Sequence, residues 1–171
     1  MIADLLSAVR MLSAPAFALT LNAALAPGAA GAPALWAAGL FGLAVVSDLL
    51  DGPLARRAGT ASRRGRLLDH GADFAFVAGG LGVCAAHGAL PWALPALVAV
   101  AFALYFADAL RGRQSSGRLG RVNGVLYFFP PGGVLLGLLG VEGLEFAVRA
   151  LAWILVGSTA VSIAARWRVR R

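Results

Sequence analysis

Residues 34–87 read ALWAAGLFGLAVVSDLLDGPLARRAGTASRRGRLLDHGADFAFVAGGLGVCAAH, which is two long apolar runs joined by a short basic segment. Each run is long enough to cross a bilayer as a helix, since about 20 mostly apolar residues span the hydrocarbon core. Four of the six aspartates of the chain lie where the runs meet the basic segment: Asp48, Asp51, Asp69 and Asp73. A carboxylate near the bilayer centre costs about 2.5 to 3.5 kcal/mol, so acidic residues in such runs indicate a functional site.

The composition of the chain is that of an integral membrane protein. Hydrophobic residues make up 60% of the 171 residues and charged residues only 13%, whereas roughly a quarter of residues are charged in soluble domains. The length predicts a single membrane domain over residues 1–171. The net charge of +7 comes from arginine alone. Because the arginines cluster between apolar runs, they indicate membrane topology, and no nucleic-acid partner is expected.

Hydropathy and loop charge together predict an all-α protein with six transmembrane helices. The predicted spans cover residues 11–26, 34–55, 67–87, 91–110, 122–140 and 145–165. The turns after the second and fourth spans and the two chain ends collect every arginine except Arg149. Since arginine-rich loops remain in the cytosol, both termini and the acidic residues are expected at the cytosolic face. The expected location is the cytoplasmic membrane of a prokaryote.

The first ten residues predict a short helix that precedes the first span. Their apolar members recur at helical spacing beside Asp4 and Arg10: Ile2, Leu5, Leu6 and Val9. This pattern is typical of an N-terminal helix that lies along the membrane interface. The single cysteine, Cys84, lies in an apolar run, where we expect a small buried side chain.

The four aspartates are spaced as two pairs that we expect to face each other. Asp48 and Asp51 are three residues apart, and Asp69 and Asp73 are four apart. Residues at these spacings share one face of a helix, and the two helices are predicted to be antiparallel neighbours. Four carboxylates in a small, partly dehydrated space repel one another unless cations neutralise them. Oxygen ligands favour hard cations, so the spacing predicts a site for two divalent ions, Mg²⁺ or Mn²⁺.

Small residues are interleaved with the carboxylates. Gly52 and Ala55 follow Asp51, and Gly65 lies one turn before Asp69, which leaves the acidic face open for a bulky ligand. A phosphate-rich ligand would suit both the metals and the arginines. The alternative is that each aspartate pairs with a loop arginine such as Arg56 at the membrane surface. Such ion pairs do not require the small residues, so the pattern favours the metal site.

The acidic window resembles the signature of a known enzyme family. Residues 48–73 match D-x2-D-G-x2-A-R-x8-G-x3-D-x3-D without a mismatch, and this pattern is similar to that of the CDP-alcohol phosphotransferases. Arg10 and Pro15 resemble the Arg and Pro spacing that opens the first span in many members. The resemblance covers essentially the whole chain.

The resemblance implies transfer of a substituted phosphate from a CDP-linked donor, usually CDP-diacylglycerol, to the hydroxyl of a small polar alcohol, with release of CMP. It implies that two metals are bound by Asp48, Asp51, Asp69 and Asp73. Asp73 would also serve as the general base. The nucleotide and diphosphate pocket would be formed by Gly52, Ala55, Arg56, Ser62 and Gly65. An independent chemical reason supports this assignment, since metals stabilise charge that develops on a phosphate leaving group.

The acceptor alcohol is less well specified by the sequence. Arg118 and Arg121 precede the fifth span, where they would hold an acceptor phosphate, hold a lipid phosphate, or set topology alone. Members similar to phosphatidylglycerolphosphate synthase often carry a Lys-x-Lys-Thr pattern in this region, and this chain does not. Chain size and topology favour glycerol 3-phosphate.

Two further expectations concern assembly and an alternative function. Glycine-rich faces around residues 79–82 and 133–137 favour close helix packing, and the family resemblance extends this to a homodimer in the membrane lipid. The alternative to a transferase is a membrane protein whose acidic cluster binds or conducts cations without chemistry. A conduction path would require polar residues across the membrane, and the outer halves of the second and third spans are almost purely apolar.

Overall fold

The computed structural model describes the backbone of residues 2–29, 31–57, 63–112 and 117–169, and the side chains of 11–29, 31–49, 70–112 and 117–166. Within these ranges all regular structure is helical. Seven helices follow one another: α1 (Ile2–Leu25), α2 (Gly31–Arg57), α3 (Arg63–Ala86), α4 (Ala93–Leu110), α5 (Arg118–Leu126), α6 (Phe129–Leu138) and α7 (Leu144–Val169). The predicted all-α class is confirmed.

In the part of the chain that the structure describes, three helices are long and apolar enough to cross a membrane, in the stretches Gly31–Leu49, Ala93–Leu110 and Leu144–Arg166. Two shorter apolar stretches, Met11–Leu25 and His70–Ala86, accompany them. Many large apolar side chains of the first stretch are exposed: Leu35, Trp36, Leu43, Val46 and Leu49. Exposure of such residues along a long helix is expected where lipid replaces water. The membrane class is therefore supported, while the count of six spans and the cytosolic termini stay predictions.

Two predicted elements differ from the structure. The expected separate N-terminal helix is absent from the described backbone, because α1 continues without a break from Ile2 to Leu25. The predicted fifth span is divided into α5 and α6 at Tyr127 and Phe128. Pro130 and Pro131 lie in the first turn of α6. Backbone N–H groups in a first turn have no intrahelical acceptor, so proline, which lacks this N–H, breaks no helix hydrogen bond there. The two prolines therefore begin a new helix and do not lie inside a continuous span.

The chain is organised as two units, Met1–Gly80 and Leu81–Arg171. In the first unit, α1 packs on α2 through stripes of small buried residues. Ala14 and Ala24 of α1 are buried, as are Ala34, Ala37 and Ala44 of α2. Alanine stripes allow two helix backbones to approach closely, which is the usual basis of helix packing in membranes.

Three aromatic rings join α1, α2 and α3 in the first unit. The Phe17 and Phe76 rings are stacked, with centroids 4.4 Å apart and planes within 10°. The Phe41 ring lies 5.8 Å from Phe17 and 6.1 Å from Phe76. Beside this cluster, a Cβ on Gly79 would lie 3.5 Å from the Cβ of Ala18. The rings therefore fix which residues of the three helices lie at the same level.

The contact between Phe41 and Phe76 requires α2 and α3 to be antiparallel. At 1.5 Å per residue, a parallel arrangement would place Arg57 and Arg63 about 44 Å apart. The six peptide steps between those two residues span at most about 22 Å. The predicted antiparallel pairing of these helices therefore follows from the ring contact and the short connection.

In the second unit, α4, α5 and α6 each pack on α7. A Cβ built on Gly133 of α6 would clash with Cγ2 of Val148 on α7. The guanidinium of Arg149 donates a hydrogen bond from Nη2 to the Gly88 carbonyl, at 3.1 Å. Cys84 is fully buried, as expected. Turns at Gly28, Gly88 and Gly112 all have positive φ, which only glycine adopts without strain.

Candidate functional site

The structure places each aspartate pair on one uninterrupted helix. Residues 48 and 51 both lie in α2, and residues 69 and 73 both lie in α3. The members of each pair therefore share a helix face. The Asp48 side chain is exposed and the Asp73 side chain is half-buried. The side chains of Asp51 and Asp69 are outside the described set.

The phenylalanine cluster relates the two helix faces to each other. Asp48 follows Phe41 by seven residues, and Asp69 precedes Phe76 by seven. Seven residues make two helical turns, which return to the same face within about 20° and rise about 10 Å. Because the two rings face each other and the helices are antiparallel, positions 48 and 69 lie on facing sides at the same level. Asp51 lies about one turn farther from the rings than Asp48, whereas Asp73 lies about one turn nearer to the rings than Asp69.

The remaining predicted ligand-binding positions lie around the connection between α2 and α3. Gly52, Ala55 and Arg56 belong to the last two turns of α2, and Gly65 belongs to the first turn of α3. Ser62 lies outside the described residues. The four positions within α2 and α3 are at the end of the helix pair where the aspartates lie.

A buried hydroxyl next to the acidic positions was not predicted. Ser47 is 4% exposed and donates from Oγ to the Ala44 carbonyl at 2.9 Å. This bond satisfies the donor of a hydroxyl that is shielded from solvent. Ser13 on α1 is also buried, at 7% exposure. A serine beside the first aspartate was visible in the sequence, but its burial follows only from the packing of α1 on α2.

The four aspartate positions fit a divalent cation by donor chemistry and by register. Carboxylate oxygens are the ligands that Mg²⁺ and Mn²⁺ prefer, and facing positions on two helices supply them from two sides. Among the side chains that the structure describes, no group of three or more His, Cys, Asp or Glu residues comes together. Only Asp48 and Asp73 of the four belong to that set.

A second polar cluster joins α5 to α7 in the other unit, and the sequence did not predict it. Tyr127 Oη lies 2.7 Å from Thr159 Oγ1, and Ser158 Oγ donates to Asn123 Oδ1 at 3.1 Å. Thr159 Oγ1 already donates to the Leu155 carbonyl at 2.6 Å. Since a hydroxyl has one proton, Tyr127 is the donor to Thr159.

Two buried donor atoms in or beside this second cluster have no hydrogen-bond partner among the residues that the structure describes. They are Nδ2 of Asn123 and Nη1 of Arg166. Asn123 is only 2% exposed. Arg118 and Arg121, in the first turn of α5, are exposed. A buried donor that stays unpaired costs about 1 to 3 kcal/mol.

Asp108 is a further acidic residue within an apolar helix. It lies near the end of α4 and is 2% exposed, whereas Arg111 is exposed. An aspartate three residues before an arginine at the end of a helix is typical of an interfacial ion pair. The burial of its carboxylate is greater than a surface ion pair requires.

In the described residues these features are those of a helical membrane protein with four aspartate positions toward one end of an antiparallel helix pair. The sequence model of the CDP-alcohol phosphatidyltransferase family matches residues 1–163. The chain belongs to this family, whose members transfer substituted phosphate groups in phospholipid synthesis. Comparison with curated proteins gives no match.

Proposed function

We propose that the protein transfers a phosphatidyl group from CDP-diacylglycerol to the hydroxyl of a small polar alcohol, with release of CMP. The reaction requires two divalent cations, Mg²⁺ or Mn²⁺, held by Asp48, Asp51, Asp69 and Asp73. The observation that carries this proposal is the register of α2 and α3, which puts positions 48 and 69 on facing sides two turns from the ring cluster. Family membership supplies the reaction class.

The chemical step forms one phosphorus–oxygen bond and breaks another. The acceptor hydroxyl oxygen attacks the phosphorus that carries the diacylglycerol, and the bond from that phosphorus to the CMP oxygen breaks. Asp73 takes the hydroxyl proton, a contribution typically worth about 10² to 10⁴ in rate. Its half-buried position, three residues from the buried Phe76, keeps the base partly shielded from water. Divalent cations, when bound, would neutralise the negative charge that develops on the leaving CMP.

The nucleotide pocket is assigned to the positions around the α2–α3 connection. Gly52, Ala55 and Gly65 leave space for cytidine and the diphosphate. Arg56 pairs with phosphate oxygens, and Ser62 contributes a hydroxyl near the nucleotide. The absence of large side chains at three helix positions on the acidic side supports this assignment.

The acceptor carries a phosphate of its own, and glycerol 3-phosphate is our candidate. Arg118 and Arg121 are exposed on α5, and Arg166 on α7 keeps a buried donor without a partner. Arginine binds phosphate through two parallel hydrogen bonds. A neutral acceptor such as serine would leave these cations without a phosphate to bind.

The remaining assignments concern placement. Loop charge puts the aspartate site at the cytosolic face of a prokaryotic cytoplasmic membrane, where a lipid-linked donor enters from the bilayer and a polar acceptor enters from water. Small-residue helix faces support a homodimer.

The function is tested with purified protein in detergent, CDP-diacylglycerol, Mn²⁺ and a panel of glycerol 3-phosphate, serine, inositol and inositol phosphate. We expect CMP release that depends on acceptor and metal, with glycerol 3-phosphate the best substrate. CMP release with serine or inositol but not with glycerol 3-phosphate would show that the acceptor assignment is wrong. Folded protein that binds Mn²⁺ and releases no CMP with any acceptor would support the cation-binding alternative instead.

A further inference from the structure

For each ring of the phenylalanine cluster, a charged residue lies seven residues away, about two turns, on the same helix. The three pairs are Arg10 with Phe17 on α1, Phe41 with Asp48 on α2, and Asp69 with Phe76 on α3. Two turns preserve the helix face within about 20° and give a rise of about 10 Å. Since the rings contact one another, the three charged positions lie on the faces that the helices turn toward one another.

Helix direction decides whether Arg10 lies at the level of the aspartates. A parallel arrangement of α1 and α2 would place Leu25 and Gly31 about 27 Å apart, beyond the reach of about 22 Å for six peptide steps. The connection is in fact a tight turn, with the Ala29 N–H bonded to the Ala26 carbonyl at 3.1 Å. The two helices are therefore antiparallel.

Because α3 is also antiparallel to α2, α1 and α3 run in the same direction. The contact of Ala18 with Gly79 next to the ring stack agrees with this, since both residues follow the rings along the chain. Positions 10, 48 and 69 thus lie at one level on three helices. α1 stays helical through Pro15, so the register between Arg10 and Phe17 is kept.

We propose that Arg10 is a phosphate-binding residue of the aspartate site, where it holds the diphosphate of the CDP-linked donor. The inference rests on the proposed function. Four carboxylates balance two divalent cations, and the diphosphate then brings additional negative charge that a further cation must meet. A guanidinium supplies this charge and can bind two phosphate oxygens at once. Arg10 makes α1 a third helix of a site that is otherwise formed by α2 and α3.

Binding measurements separate this role from a structural one. We compare Arg10→Gln and Arg10→Lys with Arg111→Gln, which removes an exposed arginine from the end of α4. Without nucleotide, Arg10→Gln should bind Mn²⁺ as tightly as the parent or more tightly, because a neighbouring positive charge repels the ion. At saturating Mn²⁺ the same variant should bind CDP at least about tenfold more weakly, the effect of one lost charge-assisted hydrogen bond.

The remaining variants complete the comparison. Arg10→Lys should recover part of the CDP affinity, and Arg111→Gln should match the parent in both measurements. Unchanged CDP affinity in Arg10→Gln would overturn the proposal. An equal loss of Mn²⁺ and CDP affinity would assign Arg10 a structural role instead, and would also overturn it.

The position of Arg10 is tested without any ligand by cross-linking in a Cys84→Ala background. A short bis-maleimide, which alkylates two cysteine sulfurs, should join Arg10→Cys to Asp69→Cys, while Leu12→Cys, about 200° away around α1, should not be joined to the same partner. The opposite pattern would overturn the placement. Neither experiment requires turnover, so protein that binds Mn²⁺ and CDP but transfers nothing would count against the proposed function alone.

Discussion

Asp73 differs from the other described aspartate of the site in its surroundings. Its side chain is half-buried and that of Asp48 is exposed. The next turn of α3 carries Phe76, which is 1% exposed within the ring cluster. A carboxylate at the border of an apolar cluster is suited to proton transfer, because it is shielded from competing water, whereas an exposed one is suited to a cation that keeps part of its hydration.

Replacing Asp73 by Asn should remove the base and keep the volume of the side chain. We expect CMP release to fall by about 10² to 10⁴, the typical contribution of a general base. The variant should unfold at the temperature of the parent, as measured by labelling of the buried Cys84 on heating. Turnover within a factor of about three of the parent would contradict the assignment of Asp73 as the base.

At the scale of elements, the packing of α6 on α7 depends on a glycine. A Cβ on Gly133 would clash with Cγ2 of Val148, whereas Gly137, one turn later on α6, has open space at the same position. Both residues lie in the same short helix, so they have the same helix propensity cost. Only one of them is needed for close approach.

The Gly133→Ala change should destabilise the protein by about 1 to 3 kcal/mol through overpacking. Gly137→Ala is the matched control and should be neutral or slightly stabilising, since alanine is the better helix former by about 1 kcal/mol. Adding Val148→Ala to Gly133→Ala should restore part of the loss. The temperature at which the buried Cys84 thiol becomes reactive measures the stability of all three variants. Equal effects of the two glycine changes would rule out the close contact.

The hydroxyl pair between α5 and α7 gives a second prediction at this scale. Tyr127→Phe removes the donor to Thr159, which still donates to the Leu155 carbonyl. Interhelical hydrogen bonds in membrane proteins average about 0.6 kcal/mol, so the melting temperature should fall only slightly. A Thr159→Val change should cost more, because it leaves the buried Tyr127 hydroxyl without an acceptor. Equal costs for the two changes would contradict the assigned donor direction.

The break between α5 and α6 shows where sequence patterns stop being informative. The apolar run over 122–140 and its two prolines are compatible with one kinked span or with two helices. Which of them forms depends on contacts with α7, including the Tyr127 and Thr159 bond, and these join residues that are far apart in sequence. The helix class and the approximate positions of most helices, by contrast, follow from the length of the apolar runs and the charge of the segments between them.

At the scale of the whole molecule, the first unit depends on one aromatic cluster that relates three helices. Phe17 and Phe76 are fully buried and stacked. The spacing of the four aspartates was readable from the sequence because helical periodicity is local. The position of Arg10 relative to the aspartates could not be predicted from the sequence, because it depends on ring contacts between three separate helices.

Loss of the central ring should affect stability and the site together. Phe76→Ala should cost about 3 to 5 kcal/mol, as expected for a buried aromatic residue. Phe146→Ala, at a side chain that is 85% exposed, should cost little. In a Phe76→Leu variant that remains folded, Mn²⁺ affinity should still fall, because the ring sets the level of α2 relative to α3. Parent-like Mn²⁺ affinity there would contradict the alignment role of the cluster.

The central claim is that the aspartates of α2 and α3 form one site for two metal ions. Electron paramagnetic resonance of Mn²⁺ bound to the purified protein tests it directly, since two ions about 3.5 to 4 Å apart give a magnetically coupled spectrum. We predict two coupled ions per chain in the parent protein and loss of the coupling in Asp69→Asn. Two uncoupled ions, or a coupled spectrum that survives Asp69→Asn unchanged, would contradict the account.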